Sequence, residues 1–261
     1  MIVIYETHGG VGNNLYIFAH FLANSIEYGY ELVNLAFDKY SSYFEGTKVK
    51  NIKMTKEFVE GHMSEFSDIS STYADGIDMN DKTFVQVAKS KKLLVRCGWA
   101  FRDPRNFKKH ASRVREVFKP LPQHCSNVSK LIGELKGNYT VLIGVHIRRS
   151  TYKFWCGGKH YYDIGVYKDR MDKLKALLPN EKVGFLICSD EQIQLKEFGR
   201  LDVFPGPKHP VEDMYSLARC DRIIGPPSTY SMWASFYGQT LLHMIETKST
   251  PISLDAFGIM R

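Results

Sequence analysis

Four stretches of this chain place charged or hydroxylated side chains directly after an apolar run, and these can do chemistry. Thr140-Val141-Leu142-Ile143-Gly144-Val145-His146-Ile147 runs into Arg148-Arg149. Alternation along an extended strand puts His146 and Arg148 on one face and Ile147 and Arg149 on the other. A planar guanidinium there suits bidentate recognition of phosphate, the alternative being a structural Arg–carboxylate pair. Val183-Gly184-Phe185-Leu186-Ile187-Cys188 leads to Ser189-Asp190-Glu191. A carboxylate at that place can accept two N–H donors of a purine or bind ribose hydroxyls. A helix cap by Ser189 or Asp190 is the plainer reading.

Arg222-Ile223-Ile224-Gly225 is followed by Pro226-Pro227-Ser228-Thr229-Tyr230-Ser231. Hydroxyls and amides at such a helix start form a phosphate cradle, with Ser228 as a simple N-cap the alternative. Ile2-Val3-Ile4-Tyr5 precedes His8-Gly9-Gly10-Val11-Gly12-Asn13-Asn14. Position 15 is Leu and no Gly-Lys-Ser/Thr follows, so this glycine-rich turn matches neither GxGxxG nor a P-loop. It is either an anion-binding turn or a tight strand-to-helix connection. Taken together, a basic pair, a carboxylate and a hydroxyl-rich helix start form the inventory for a nucleotide diphosphate.

The elements that must position these groups follow one pattern. Leu15, Phe18, Ala19, Leu22, Ala23 and Ile26 recur with helical spacing after the first apolar run. Val166 to Leu178 is amphipathic and stops at Pro179. Further helices are expected over 192–198, 211–219 and 228–237, with a short strand at 201–204. Strand–helix alternation at this spacing predicts an α/β fold with parallel, doubly wound sheets, whose ligands bind at the carboxyl ends of the strands. Residues about 45–135 are less regular and richer in charge, and Lys119-Pro120-Leu121-Pro122 is the best boundary signal. Two lobes are expected, an N-terminal one over 1–135 and a nucleotide-binding one over 136–261, with the last residues free to pack back on the first.

Composition narrows the class. With 261 residues, 44% hydrophobic and 24% charged, the chain suits a soluble globular protein. No apolar run reaches the ~18–20 residues of a membrane span. The start, Met1 to Tyr5, lacks a basic leader region and reads as a strand, which gives the expectation of a cytoplasmic protein. Five widely spaced cysteines without a CxxC pair argue against a disulfide framework and a zinc site. The net charge of +7 fits an anionic ligand as well as a merely solvated surface. Arg102, Arg105, Lys108, Lys109, Arg113 and Arg115 are read as a solvated helix face. The segment from Lys153 to Tyr162 mixes bases with aromatics and is read as a loop over a small-molecule cleft. No GxSxG, HExxH or Asp-x-Asp occurs.

The quoted residues resemble the α-1,2-fucosyltransferases. Gly9-Gly10-Val11-Gly12-Asn13-Asn14-Leu15-Tyr16-Ile17-Phe18-Ala19 is similar to their GGLGNQLFxFA opening, and Val145 to Tyr152 to VHIRRGDY. Phe185 to Glu191 is similar to FxxFSDD; Asp213 to Asp221 with Ile224 to Ala234 resembles DLxLMSxCDHxIISNSTFSWWGA. The blocks keep the family's order and spacing over the N-terminus and most of 140–238. Three departures stand out: Ser150-Thr151 replaces Gly-Asp, Glu191 the second Asp, and Pro227 the Asn.

The resemblance implies a GT-B fold of two Rossmann-like lobes with a cleft between them. It implies an inverting transfer of a sugar, L-fucose from GDP-fucose, to a glycan hydroxyl, with no metal and no further cofactor required. By motif, Arg148 would hold the β-phosphate, His146 would lie near the guanine or its sugar, and Asp190 would bind guanine. Arg149 and Ser189 belong to the same two blocks and count with the donor site. Ser228, Thr229, Tyr230 and Ser231 would line the diphosphate; Gly10, Gly12 and Asn13 would face them. Arg148 would stabilise charge on the leaving group, the role a metal plays elsewhere. A base near the acceptor hydroxyl would come from His8, with Glu6 and Asp38 as alternatives. The partners implied are a nucleotide sugar and a glycan acceptor, without nucleic acid; peripheral contact with a membrane surface and the oligomeric state are left open. Rival readings are a transferase of this fold using a UDP- or GDP-linked pentose or rhamnose, a non-catalytic nucleotide- or glycan-binding module, and a nucleic-acid binder.

Overall fold

The computed structural model describes residues 1–47, 54–70 and 76–260. The chain divides into two compact units, Met1–Leu121 and Pro122–Met260. The first opens with β1 (Ile2–Ile4), α1 (Val11–Tyr28) and β2 (Leu32–Asn34). All of β1 is buried, as expected of a three-residue β-branched run, and α1 is buried on more than one side, with Leu15, Ile17, Ala19, Phe21 and Ala23 all covered. After α2 (Asp38–Ser41) and α3 (Lys56–Gly61) come β3 (Ser67–Asp68), β4 (Ile77–Asp78), α4 (Lys82–Ser90) and β5 (Leu93–Val95). The unit ends with β6 (Phe101–Arg102), α5 (Pro104–Lys109) and α6 (Ala111–Val117). One parallel sheet has the order β2-β1-β5-β3, and β4 pairs separately with β6.

The region read as irregular therefore holds the strand next to β1. Three apolar residues between Lys92 and Arg96 are too few for periodicity to reveal. The basic run spans β6, α5 and α6, and Arg102 is not on a solvated face. Its guanidinium lies 4.1 Å over the Trp99 ring, and burial lowers its pKa to about 10.

The second unit contains α7 (Pro122–Lys136), β7 (Val141–Ile147), α8 (Ile164–Ala176), β8 (Val183–Ser189) and β9 (Val203–Pro205). It continues with α9 (Pro210–Leu217), β10 (Arg222–Gly225), α10 (Thr229–Gly238) and β11 (Leu241–Met244). Its parallel sheet has the order β11-β10-β7-β8-β9. In register, Ile147 faces Ser189 and Val145 faces Ile224, so three strands finish at one edge. Tyr167, Met171 and Leu174 of α8 pack with Ile143, Val145, Phe185 and Ile187 in one core. The expected helix over 192–198 is only a 3-10 turn, Leu195–Phe198.

The units separate inside the Lys119–Pro122 segment and not at 135/136. The residues between belong to α7, which buries Val128, Ile132 and Leu135 and bonds through His124 to Glu212 of α9. Residues 250–260 belong to the second unit. Gly258 bridges Leu242, and Phe257 joins the second unit's core. Among the described residues no helix is long and apolar enough to cross a membrane. All five cysteines are free thiols.

Candidate functional site

The carboxyl edge of the second sheet collects the residues singled out in three of the four stretches. His146, the penultimate residue of β7, is 4% exposed and stacks on Tyr230 of α10 at 4.9 Å between ring centroids. Arg148, just past the strand end, lies 4.9 Å over the Tyr152 ring and donates to Thr151 Oγ1 at 3.3 Å. The Tyr152 hydroxyl donates to the Pro227 carbonyl at 2.5 Å. Two cross-links thus tie the exit of β7 to the start of α10, one through His146 and Tyr230 and one through Arg148 and Tyr152. Ser228 caps α10, its side chain accepting from Tyr230 N, and Thr229 is the first helical residue.

The two arginines differ. Arg149 turns the other way, as strand alternation requires, donating to the Tyr161 hydroxyl at 2.7 Å and lying 3.7 Å from Glu191. Its charge is already matched. Among the described residues Arg148 has no carboxylate within ion-pair distance. Its Nε and the His146 Nδ1 are buried polar atoms without a hydrogen-bond partner. Each such atom costs about 1–3 kcal/mol, so the pair marks a place where a ligand would be stabilising.

Asp190 is employed within the protein. Its Oδ1 accepts from Arg149 N at 2.9 Å and Ser150 N at 3.5 Å, and its Oδ2 accepts from Ser150 Oγ at 2.6 Å. Ser150, a departure from the family pattern, is therefore what occupies the second carboxylate oxygen. Ser189 Oγ accepts from Glu191 N, a local turn and not a helix cap, since no helix follows β8 directly. Ser231 is fully buried and donates to Ser228 O at 3.1 Å, which turns it away from any ligand.

Gly225 shows how tightly this edge is built. A Cβ there would lie 2.7 Å from the His146 carbonyl oxygen and 2.9 Å from its Cβ. Only glycine lets β10 approach β7 where His146 must turn towards Tyr230.

In the first unit, the glycine-rich turn is held from inside. Asn14, 1% exposed, donates to the Gly9 and Gly10 carbonyls at 3.2 and 2.9 Å, and Thr7 Oγ1 donates to its Oδ1. Gly9 has φ +86°, and a Cβ there would strike the Asn13 side chain. Helix α1 starts at Val11, so Gly12 and Asn13 lie in its first turn, and Gly10 is an N-cap without a side-chain cap. His8 is exposed in the preceding loop, Glu6 pairs with Arg96 at 3.2 Å, and burial raises the Asp38 carboxyl.

No protein-family profile matches the chain, and no curated protein matches it in sequence. Solved structures do resemble it. Fucosyltransferase NodZ from Bradyrhizobium superposes with a TM-score of 0.63 at 16% identity, over 95% of this chain and 96% of that one. A mutant of FUT1 from Arabidopsis thaliana in complex with GDP gives 0.62 at 14% identity, over 98% and 73%. POFUT1 in complex with GDP gives 0.61 at 13% identity, over 92% and 95%. The fold is GT-B.

Within this GT-B fold, sequence reasoning missed two supports of the site. Tyr152 and Tyr161 sit four and thirteen residues beyond Arg148 and engage one arginine each. Their aromatic spacing after the arginine pair was the available signal. Asp213 of α9 is 6% exposed and accepts from Lys208 N at 2.8 Å, and burial raises its pKa to about 6. Its place at the head of the block similar to DLxLMSxCD was the available signal, since its residue type alone does not distinguish it from any acidic residue in a first helical turn. Spacing also hides His124, His209 and Glu212, which cluster with ligand-type atoms within 4.8 Å of one another. Hydrogen bonds account for this cluster. Glu212 Oε1 accepts from His124 Nδ1 and Asn127 Nδ2, both at 2.8 Å, while His209 Nδ1 caps α9 by accepting from Val211 N and Glu212 N.

The buried edge has a pH signature. Burial first, then Arg148, lowers the His146 pKa from 6.5 to about 3, with Asp190 opposing. Between these values the unfolded chain binds a proton that the native ring does not, so this group's contribution to stability grows as pH rises and is lost on acidification. Asp213 acts oppositely: raised from 3.8 to about 6, it binds a proton in the native state over that window, and its contribution is lost as pH rises through 6. The His146 window is the wider, so the two together favour neutral pH. Denaturation curves of His146→Phe between pH 4 and 6 should show a smaller rise in stability with pH than the parent. An equal or steeper rise in the variant refutes a neutral, buried His146.

Proposed function

We propose that this protein is a glycosyltransferase that moves a sugar, L-fucose from GDP-fucose, to a hydroxyl of a glycan acceptor with inversion at the anomeric carbon. The observation that carries the proposal is the uncompensated Arg148 guanidinium beside the Ser228-capped start of α10. The solved relatives in this fold include NodZ soaked with GDP-fucose and POFUT1 in complex with GDP-fucose, which supports this donor.

In this reading the diphosphate lies between Arg148 and the first turn of α10. Charge develops on the β-phosphate oxygen as the glycosidic bond breaks. Arg148 and the N–H groups at Thr229 stabilise that charge from fixed positions, in the role of an oxyanion hole. No metal is assigned a step, because the guanidinium supplies the positive charge. His146, held neutral by burial, is free to bond a ribose hydroxyl or a base atom through Nδ1. Asp190 sets the backbone at 149–150 and offers its remaining lone pairs to the purine. An inverting displacement needs a base at the acceptor hydroxyl; of the residues expected for it in the first unit, His8 is exposed and Glu6 is paired with Arg96.

Calorimetric titration with GDP and UDP, followed by donor hydrolysis assays with GDP-fucose and UDP-sugars, tests the proposal. GDP should bind at least tenfold more tightly than UDP, and GDP-fucose should be turned over. Preference for UDP moves the assignment to another donor of the same fold. GDP binding without turnover on any glycan leaves a binding module instead.

A further inference from the structure

Beyond Arg148 the same face continues as a stack of rings. Tyr152, 7% exposed, stacks on Trp155 with centroids 5.0 Å apart and planes at 24°. The Trp155 indole also lies 5.6 Å from the His160 ring, itself buried. Arg148, Tyr152 and Trp155 thus form one continuous series that starts at the donor-side guanidinium. It ends in water: Trp155 is 48% exposed, and Phe154 next to it is 78% exposed. Trp233, the other tryptophan of this unit, is wholly buried.

The loop that carries these rings is held in an uncommon shape. Cys156, Gly157 and Gly158 have φ of +49°, +65° and +78°, three left-handed residues in succession. For Cys156 this conformation is costly, and such cost persists where the surroundings hold it, often at binding sites. The Tyr152–Pro227 hydrogen bond and the Arg149–Tyr161 hydrogen bond anchor the two sides of the loop to the sheet edge. Trp155 is therefore presented from a fixed base, not from a loose tip.

We infer that the exposed face of Trp155, flanked by Phe154, is the docking platform for a pyranose ring of the acceptor glycan. The inference rests on the transferase reading and names the acceptor subsite of that same site. An indole face carries negative charge density above the ring, and the axial C–H groups of a pyranose carry the complementary positive edge. A sugar is the occupant because the platform is small, single-faced and continuous with the group that would hold the leaving phosphate. A protein partner would need a larger apolar patch than two side chains supply.

The test uses the full-length protein saturated with GDP. Trp99→Phe removes the other exposed indole, so that fluorescence reports Trp155. Lactose, chitotriose and a neutral glycan array serve as probes. At least one probe glycan should quench the Trp155 emission and show saturation transfer on one face of a single ring. Trp155→Ala should weaken that glycan's binding at least tenfold while leaving GDP affinity within twofold; Trp155→Tyr should stay within about threefold of the parent. Binding of the glycan to Trp155→Ala at parental strength overturns the platform, and so does failure of the parent to bind any probe. An equal loss of GDP and glycan affinity in Trp155→Ala also overturns it, by making the residue a structural prop of the loop. Failure of the parent to bind GDP at all is a different result and counts against the transferase reading.

Discussion

Arg148→Ala should lower turnover of GDP-fucose by about 30- to 1000-fold, the loss expected when about 2–4 kcal/mol of fixed electrostatic stabilisation is removed. The size follows from the setting. Arg148 sits beside the unpaired buried Nδ1 of His146 and has no carboxylate of its own among the described residues, so its charge is available to a ligand. Arg149→Ala should behave differently. That side chain is committed to Tyr161 and Glu191, and its loss should appear as a lower melting temperature with a smaller effect on turnover. Arg148→Lys should recover part of the activity, since an ammonium keeps the charge but not the planar two-pronged contact. Steady-state kinetics with GDP binding measured in parallel separates the cases. An Arg148→Ala enzyme with near-parental turnover removes the residue from the reaction.

Gly225→Ala should cost about 1–3 kcal/mol of stability, or roughly 3–10 °C of melting temperature, and weaken GDP binding at the same time. The added methyl would meet the His146 carbonyl oxygen at 2.7 Å and the His146 Cβ at 2.9 Å. Neither atom lies at the end of a flexible side chain, so β10 and β7 must part. His146 then loses its place against Tyr230, and both cross-links to α10 are disturbed. Gly165→Ala is the matched control: Gly165 lies in α8 with open space around its Cβ position, and alanine is the better helix former. Thermal unfolding of the two variants should move in opposite directions. A Gly225→Ala protein as stable as the parent shows that the strands adjust without strain.

The second sheet was legible because β7 and β8 are seven-residue apolar runs, each closed by polar residues, and α8 has helical periodicity with a proline stop. The first sheet was only half legible. β1 and α1 announce themselves, whereas β5 is three residues long and flanked by lysine and arginine. Within the site, strand alternation foretold that His146 and Arg148 share a face and that Arg149 does not. What alternation cannot tell is which arginine finds a partner, because Tyr161 and Glu191 reach Arg149 from different elements. Asp190 and Ser231 illustrate the same limit. Their residue types fit a ligand, but non-local hydrogen bonding for the one and burial for the other decide where their polar atoms point.

The clasp of Asp190 on the 149–150 backbone bears on the economy of recognition. A segment already fastened by three hydrogen bonds has surrendered its conformational freedom during folding, not at the moment of encounter. On the proposed function, an incoming diphosphate would meet this turn already in place, and its binding strength need not be diminished by ordering it.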